Sequence, residues 1–265
     1  MPFVRPNDIT VHYDFAGPRD APVVVLANSL GTSVHLWDEQ MNALARKHRV
    51  LRYDMRGHGL TDVTPGDVSA TGSIEQLGAD VIALADALGV NRFSFAGISI
   101  GGMVGQYVAA RHRDRVDALV VCATAARVGT LSGWNERIEL VERDGVEAIV
   151  DATMARRFTE RAHSERPELV RGFANMVART PKSGYLAGCR AVRDADLRAA
   201  VLGIKARSLV IQGAHDPTAT PELGAELRDA IPGARLEVLH SAAHMLNAEQ
   251  PVAFNDVLLR FLEAA

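Results

Sequence analysis

A serine between two glycines is the pattern in this chain that is best suited to covalent chemistry. Gly97-Ile98-Ser99-Ile100-Gly101 follows the apolar stretch at residues 92–96 and precedes a helical pattern that starts near Gly102. A strand, a sharp turn and a helix together hold a serine out as a nucleophile, with glycines where the two backbones leave no space for a Cβ. Because a hydroxyl is a poor nucleophile at neutral pH, the chain must also supply a base, an orienting acid and oxyanion donors.

Asp216 and His244 are the candidates for the acid and the base. Asp216 comes directly after a strand pattern, and two histidines follow it, His240 at the end of the next strand pattern and His244 in the loop beyond. A loop brings an imidazole toward Ser99 more easily than a strand does, so the sequence favours His244. His244 would act as general base on the hydroxyl and then as general acid on the leaving group. Asp216 would fix the imidazole tautomer and stabilise the imidazolium.

The oxyanion donors are expected to be backbone amides. One is the amide of Ile100, directly after the proposed nucleophile. The other lies in the loop Asn28-Ser29-Leu30-Gly31-Thr32, which follows a buried strand pattern, and Leu30 is the candidate there. Loss of one such donor costs on the order of 100-fold to 1000-fold in turnover, so these amides matter as much as the side chains.

Strand and helix patterns alternate along the chain. Strand-like runs occupy residues 9–15, 22–27, 49–54, 92–96, 116–122, 208–213 and 235–240. The first is interpreted as an edge strand and the second, a continuous apolar run, as a central one. Helical patterns occupy residues 36–45, a stretch from the Ser73 and Gln76 capping box to Gly89, the stretch after Ser99, and residues 251–262. This alternation predicts an α/β fold with a mostly parallel sheet and helices on both faces.

Residues 125–200 interrupt that alternation with amphipathic helical stretches and no strand-like run. We interpret them as a helical cap inserted into a core made of residues 1–124 and 201–265. Parallel sheets bind ligands at the carboxyl ends of their strands, so the cap is expected to lie over that edge.

Composition narrows the function classes. The 265 residues are 48% hydrophobic and 23% charged with a net charge of −3, which fits one large domain and provides no basic stripe for nucleic acid. The first residues lack the apolar core of a signal peptide and no apolar run approaches the roughly 18 residues that span a bilayer, so we expect a cytoplasmic protein without a membrane partner.

Cys122 and Cys189 have no metal-ligand spacing and are interpreted as buried thiols. No metal site and no cofactor are expected.

Several motifs occur in a fixed order along the whole chain. They are Asn28-Ser29-Leu30-Gly31-Thr32, Asp54-Met55-Arg56-Gly57-His58-Gly59, Gly97-Ile98-Ser99-Ile100-Gly101-Gly102, Asp216 and His244. This ordered set resembles the α/β-hydrolase superfamily and, within it, the 3-oxoadipate enol-lactonases. Asn28-Ser29 stands where many α/β-hydrolases carry His-Gly, as it does in the enol-lactonases, and Ser132-Gly133-Trp134-Asn135-Glu136-Arg137 resembles part of their cap.

The resemblance implies cofactor-free hydrolysis of the enol-lactone of 3-oxoadipate, in the β-ketoadipate route of bacterial aromatic-acid breakdown. That substrate carries a free carboxylate. Trp134, Arg137, Ile138 and Val141 share one face of a helical pattern in the predicted cap. A guanidinium beside an apolar wall can bind a carboxylate bidentately, so Arg137 is the hypothesis for its partner. The plainer interpretation is that Arg137 is a solvated charge and Trp134 packs the cap.

Other interpretations of the same residues stay open. A carboxylesterase or a carbon–carbon bond hydrolase would use the same triad, and a ligand receptor on a hydrolase fold is the alternative outside the enzymes. Dehalogenases and epoxide hydrolases are disfavoured because they need a carboxylate where Ser99 stands. Asp54 and His58 are interpreted as shaping the Gly-rich loop after a strand, and the sequence leaves the oligomeric state open.

Overall fold

A sheet of eight strands forms the centre of the molecule, whose computed structural model describes residues 1–64 and 72–264. The strand order is β1-β2-β4-β3-β5-β6-β7-β8. β1 and β2 pair antiparallel, β2 pairs antiparallel with β4, and all the remaining neighbours are parallel. The strands are β1 (Phe3–Val4), β2 (Val11–Ala16), β3 (Val23–Ala27), β4 (Arg49–Tyr53), β5 (Phe93–Ile98), β6 (Val116–Cys122), β7 (Arg207–Gly213) and β8 (Arg235–Leu239).

The positions of the first strands follow from their burial. β3 is an unbroken apolar run, and it lies between β4 and β5 with Val24 to Ala27 fully buried, which confirms the prediction of a central strand. The prediction that residues 9–15 form an edge strand is wrong. β2 pairs on both sides, and the edge is the two-residue strand β1, whose register joins Phe3 to His12. So short a strand has no periodicity to detect in a sequence.

Helices cover the sheet and form most of the segment between β6 and β7. α3 packs against β5 and β6 and also against α2, while α1 packs against β4 and α12. No helix in the described ranges is both long and apolar enough to cross a bilayer. The helices are α1 (Asp38–Leu44), α2 (Ile74–Ala87), α3 (Ile100–Arg111), α4 (Leu131–Asp144), α5 (Val150–Arg157), α6 (Glu160–Glu165), α7 (Pro167–Ala178), α8 (Lys182–Asp194), α9 (Arg198–Val201), α10 (Pro221–Ala230), α11 (Leu246–Glu249) and α12 (Pro251–Glu263). Single 3-10 turns precede α1 and α5, at Val34–Trp37 and Val146–Ile149.

Helix α2 begins as its sequence predicts. The Ser73 side chain accepts a hydrogen bond from the backbone N–H of Gln76, which satisfies one of the free amides of the first turn. After the last helical residue, Gly89 has a φ of +67°, a left-handed conformation that glycine adopts without strain. The chain then turns directly into β5, the strand that carries the proposed nucleophile at its end.

The segment at residues 125–200, referred to below as the helical segment, contains helices α4 to α8 and no strand. Its helical character is therefore confirmed, and its division from the core as a separate cap stays a prediction. α4 packs along α8, and Gly184 in α8 lies so close to the core that a Cβ there would come within 2.0 Å of the Gly57 carbonyl oxygen. This contact places the segment directly on the loop that follows β4.

The two cysteines are free thiols in the interior. Cys122 ends β6 and Cys189 lies in α8, and both are buried. Burial disfavours the thiolate, so it raises the pKa of Cys122 and raises that of Cys189 to about 11. The interpretation of both as buried thiols is confirmed.

Candidate active site

Ser99 occupies a strained turn between β5 and α3. Its φ of 59° and ψ of −120° fall outside the ordinary regions for a residue with a side chain, and among the described non-glycine residues only Ala123 shares a positive φ. A Cβ at Gly97 would lie 2.3 Å from the Gly101 carbonyl oxygen, and one at Gly101 would lie 2.5 Å from the Ala27 carbonyl oxygen. Glycines at these two positions are what allow the turn to form with the serine at its tip.

His244 and Asp216 are joined by a short hydrogen bond. His244 Nδ1 lies 2.6 Å from Asp216 Oδ2, and the two residues are only 4% and 3% exposed. Asp216 Oδ1 accepts from the backbone amides of Thr218 and Ala219, at 2.8 and 3.1 Å. With the carboxylate fixed in this way, Nδ1 carries the proton of a neutral imidazole and Nε2 is left as an acceptor. His240 is exposed at the end of β8 and has no such partner in the described residues.

One cavity brings the predicted residues together. Ser99, Ile100, Leu30 and His244 line it from the core, and Asp216 lies behind His244. The helical segment supplies the opposite side. The core also contributes Met103 and Thr218. The lining residues from the helical segment are Val128, Trp134, Arg137, Thr153, Arg156, Arg157 and Val192.

The loop after β3 is held in one conformation by its own hydrogen bonds. Gly31 has a φ of +73°, and the Ser29 carbonyl oxygen accepts from both the amide and the hydroxyl of Thr32, at 3.1 and 2.7 Å. Asn28 Nδ2 donates to the Tyr53 carbonyl oxygen at 2.7 Å, which ties the loop to the end of β4. This rigidity is what an oxyanion site needs, since its amides must be in place before charge develops.

The helical-segment residues predicted from the sequence lie on the far side of the cavity. Trp134 Nε1 donates to the Val128 carbonyl oxygen at 2.8 Å, so its indole is fixed as part of the wall. Arg137 Nε and Nη2 donate to the Tyr185 hydroxyl at 2.9 and 2.5 Å, and Nη2 also donates to the Thr153 hydroxyl at 2.7 Å. Arg137 thus faces the site, as expected, but its donors are partly occupied by neutral hydroxyls.

Two further arginines, which the sequence did not single out, also line the cavity. Arg156 and Arg157 end helix α5, and within residues 1–64 and 72–264 neither they nor Arg137 form an ion pair with a carboxylate. Burial lowers the pKa of Arg157 to about 10. For Arg156, whose side chain is largely exposed, partial burial followed by repulsion from Arg137 lowers the pKa. These three residues, Arg137, Arg156 and Arg157, form an arginine wall that makes no direct ion pair with a described carboxylate, while Asp216 acts on Arg157 at longer range.

Asp54 and His58 lie outside this cavity and hold loops together. Asp54 accepts hydrogen bonds from the backbone amides of Val34 and Leu60 at 2.7 and 2.9 Å, and its Oδ2 lies 2.7 Å from His12 Nδ1. His58 Nδ1 bonds the Arg56 carbonyl oxygen at 3.1 Å, and burial lowers the pKa of His58 to about 4. Over the described residues, no three His, Cys, Asp or Glu side chains are grouped so that they could hold a metal ion.

Comparison with known proteins shows the family. The sequence model of the alpha/beta hydrolase fold family matches residues 22–251. The chain belongs to this family. This α/β-hydrolase is 37% identical over 249 residues to 3-oxoadipate enol-lactonase 2 of Acinetobacter baylyi. The match covers 94% of this chain and 91% of that protein. It is also 32% identical over 264 residues to a RutD protein of Rhizobium rhizogenes, named as a carbamate hydrolase, with 96% and 98% of the two chains covered.

Solved structures agree with the sequence comparison. The crystal structure of the enol-lactonase from Burkholderia xenovorans LB400 superimposes on this α/β-hydrolase with a TM-score of 0.95 and 40% identity, covering 99% of this chain and 100% of that one. The fold class and the family resemblance expected from the sequence are both confirmed. Together with the homologues these matches make the chain an enzyme of the esterase type.

Proposed function

We propose that this α/β-hydrolase converts 3-oxoadipate enol-lactone to 3-oxoadipate through an acyl-enzyme on Ser99. The observation that supports this most strongly is that the cavity holding Ser99 and His244 is bounded on its other side by the arginine wall. An ester-cleaving site with a cationic wall that makes no direct ion pair with a described carboxylate is suited to an ester that carries an anion. The similarity to two proteins named as enol-lactonases supports the same substrate.

The first step is attack on the lactone carbonyl. His244 Nε2 takes the proton of the Ser99 hydroxyl as the oxygen adds to the carbonyl carbon, and Asp216 stabilises the imidazolium that forms. Negative charge develops on the carbonyl oxygen, which the backbone amides of Leu30 and Ile100 receive. The strained turn at Ser99 and the hydrogen-bonded loop at Leu30 support this step, because each is held in one conformation by the folded chain.

The second step opens the ring. Collapse of the tetrahedral intermediate breaks the ring C–O bond and expels an enolate, which takes a proton and ketonises. Because the leaving group stays tethered to the acyl chain, the product cannot diffuse away until water, activated by His244, hydrolyses the ester on Ser99. No metal or cofactor takes part in this sequence of steps.

The helical segment would serve as a cap that supplies substrate selectivity. Trp134 and Arg137 lie in α4 on its cavity side, and the arginine wall, to which Arg137 belongs, would meet the carboxylate end of the substrate. A guanidinium binds a carboxylate through paired donors, which gives orientation as well as attraction. The β-ketoadipate pathway and the cytoplasm, both expected from the sequence, stay predictions for this protein.

The experiment is the loss of ultraviolet absorbance of 3-oxoadipate enol-lactone with purified enzyme in the presence of a chelator. Ser99→Ala is expected to lower turnover by about 10⁴-fold or more, and Asp216→Asn by about 10³- to 10⁴-fold. A neutral ester such as p-nitrophenyl acetate should react much more slowly than the lactone. Turnover of the ester with none of the lactone would contradict the substrate and leave a carboxylesterase. Tight retention of the lactone without turnover would indicate a receptor.

A further inference from the structure

Arg157 is the arginine of the wall that is most enclosed by the protein. Its side chain leaves α5 at the last helical residue, it is 7% exposed, and it lines the cavity beside Ser99 and His244. Nη2 donates to the Leu30 carbonyl oxygen at 2.5 Å, whereas Nη1 is buried and has no hydrogen-bond partner among the described residues. One edge of the guanidinium is thus used by the protein and the other is not.

A buried guanidinium without a counter-ion is costly. Removing a charge from water is unfavourable unless a partner replaces the lost hydration, and an unpartnered buried N–H adds to that cost. Burial is the main cause of the lowered pKa of Arg157; repulsion from Arg137 and Arg156 acts in the same direction, while the interactions with Tyr185 and Asp216 act against it. An anion that enters the cavity would remove this cost, so binding energy is available there for a carboxylate.

The other two arginines are less suited to that role. Arg137 already donates to the Tyr185 and Thr153 hydroxyls, and its Cζ lies 5.6 Å from the centre of the Tyr185 ring. Arg156 is exposed, so water competes with any ligand for its donors.

We propose that Arg157 binds the free carboxylate of the substrate, and that through its hydrogen bond to Leu30 it links that contact to the oxyanion donors. The proposal rests on the proposed function, because the carboxylate is that of the enol-lactone. It replaces Arg137 as the principal partner and leaves Arg137 to position the wall through Tyr185.

Arg157 touches both loops that carry the chemistry. Its guanidinium holds the carbonyl oxygen of Leu30, and its backbone carbonyl oxygen accepts from the Met245 amide at 3.0 Å, directly after His244. A carboxylate on the other edge of the guanidinium therefore restrains the group that orients the Leu30 loop. A substrate without the carboxylate is expected to lose both the direct contact and this restraint.

A matched pair of lactones separates the charge from the chemistry. α-Angelica lactone has the same unsaturated ring as 3-oxoadipate enol-lactone, with a methyl group in place of the carboxymethyl group. The quantity to measure is the ratio of kcat/KM for the charged lactone to kcat/KM for the neutral one. Loss of Leu30 orientation lowers both values, whereas loss of carboxylate binding lowers the ratio.

Arg157→Gln is expected to lower the ratio by about 10- to 100-fold, since a hydrogen-bonded ion pair is lost only with the charged lactone. Arg157→Lys keeps the charge and should recover part of the ratio, which also provides a second variant if the glutamine substitution impairs folding. Arg137→Gln is expected to change both lactones by similar factors. Arg161→Gln removes an exposed arginine that pairs with Glu165 in α6, and it should leave both values unchanged.

Binding without turnover provides an independent readout. 2-Furanacetate keeps a five-membered ring and the carboxymethyl group but has no ester, and 2-furanacetamide is its neutral counterpart. Calorimetric titration should show that the wild-type enzyme binds the acid more tightly than the amide and that Arg157→Gln removes this preference. This titration tests Arg157 even if neither lactone is hydrolysed, which would overturn the proposed function alone.

Two results would overturn the inference. In the first, the ratio and the furanacetate preference survive in both Arg157 variants and are lost in Arg137→Gln, which would assign the carboxylate to Arg137. In the second, neither arginine affects them, which would place the carboxylate away from the wall.

Discussion

Glu249 Oε2 accepts a hydrogen bond from the Thr159 hydroxyl at 2.6 Å and another from the Thr159 amide at 3.0 Å. Its other oxygen, Oε1, accepts from the Ala243 amide at 2.8 Å, next to His244. One buried carboxylate therefore joins the helical segment to the loop that holds the proposed base. Because a carboxylate accepts at both oxygens, no neutral side chain of the same shape can make all of these contacts.

Glu249→Gln is expected to weaken this junction. The glutamine amide nitrogen would face an N–H donor on one side, so at least one buried donor loses its acceptor, at a cost of about 1–3 kcal/mol in the free energy of unfolding. We expect a lower kcat on both lactones, because His244 is less well held. Urea unfolding and steady-state kinetics measure the two effects. Glu165→Gln, at an exposed i,i+4 pair with Arg161, is the control and should change neither quantity by much. A Glu249→Gln enzyme as stable and active as wild type would contradict this role.

The strained turn at Ser99 should be measurable as lost stability. Ser99→Ala and Ser99→Gly both remove the hydroxyl, but only glycine adopts a φ of 59° without a Cβ penalty. The glycine variant is therefore expected to exceed the alanine variant in free energy of unfolding by about 1 kcal/mol, the scale of strain at such a backbone conformation. Denaturant unfolding of the two inactive variants tests this directly. Equal stabilities would mean that the turn stores little strain.

His58 should make the fold sensitive to acid. Burial lowers its pKa from 6.5 to about 4, so the folded state disfavours the proton that the unfolded state takes up. The neutral side chain therefore contributes full stability above pH 6.5, and that contribution declines as pH falls toward 4, by roughly 3 kcal/mol in all.

His58→Asn tests that contribution because it removes the imidazole that takes up the proton. The amide of the asparagine side chain can still donate to the Arg56 carbonyl oxygen. Unfolding free energies measured at intervals between pH 7 and pH 4.5 should fall less steeply for this variant than for wild type. His35→Asn, at an exposed histidine, provides the matched control. If the two pH profiles for His58→Asn and wild type are parallel, His58 is not the origin of the acid sensitivity.

Local sequence patterns were sufficient to predict several residues that line the candidate site. The glycines around Ser99 indicate that the strand and helix backbones approach too closely for a Cβ. His244 was preferred because it lies in a loop, whereas His240 lies at the end of a strand pattern. These features depend on residues that are near one another in the chain. The central position of β3 could be inferred in the same way, because a parallel strand that is buried on both faces is a continuous apolar run.

The role proposed for Arg157 could not be predicted from such local patterns. Two adjacent arginines at the end of an amphipathic helix are ordinary in a sequence, and only the packing of α5 against the Leu30 loop buries one of them without a counter-ion. Glu249 shows the same limit, because its three donors come from positions 159 and 243 and meet only in the folded chain. Helix α10, Pro221–Ala230, was not among the predicted helices, although Thr220 at its N-cap and Pro221 in its first turn are signals that could have found it.

The proposed function requires this enzyme to prefer a lactone that carries a carboxylate. The measurement that tests it most directly is the kcat/KM of the wild-type enzyme on 3-oxoadipate enol-lactone and on α-angelica lactone under the same conditions. We predict that kcat/KM is about 10- to 100-fold higher for the charged lactone, because only this lactone forms an ion pair with the arginine wall. Equal values, or faster hydrolysis of the neutral lactone, would contradict the claim.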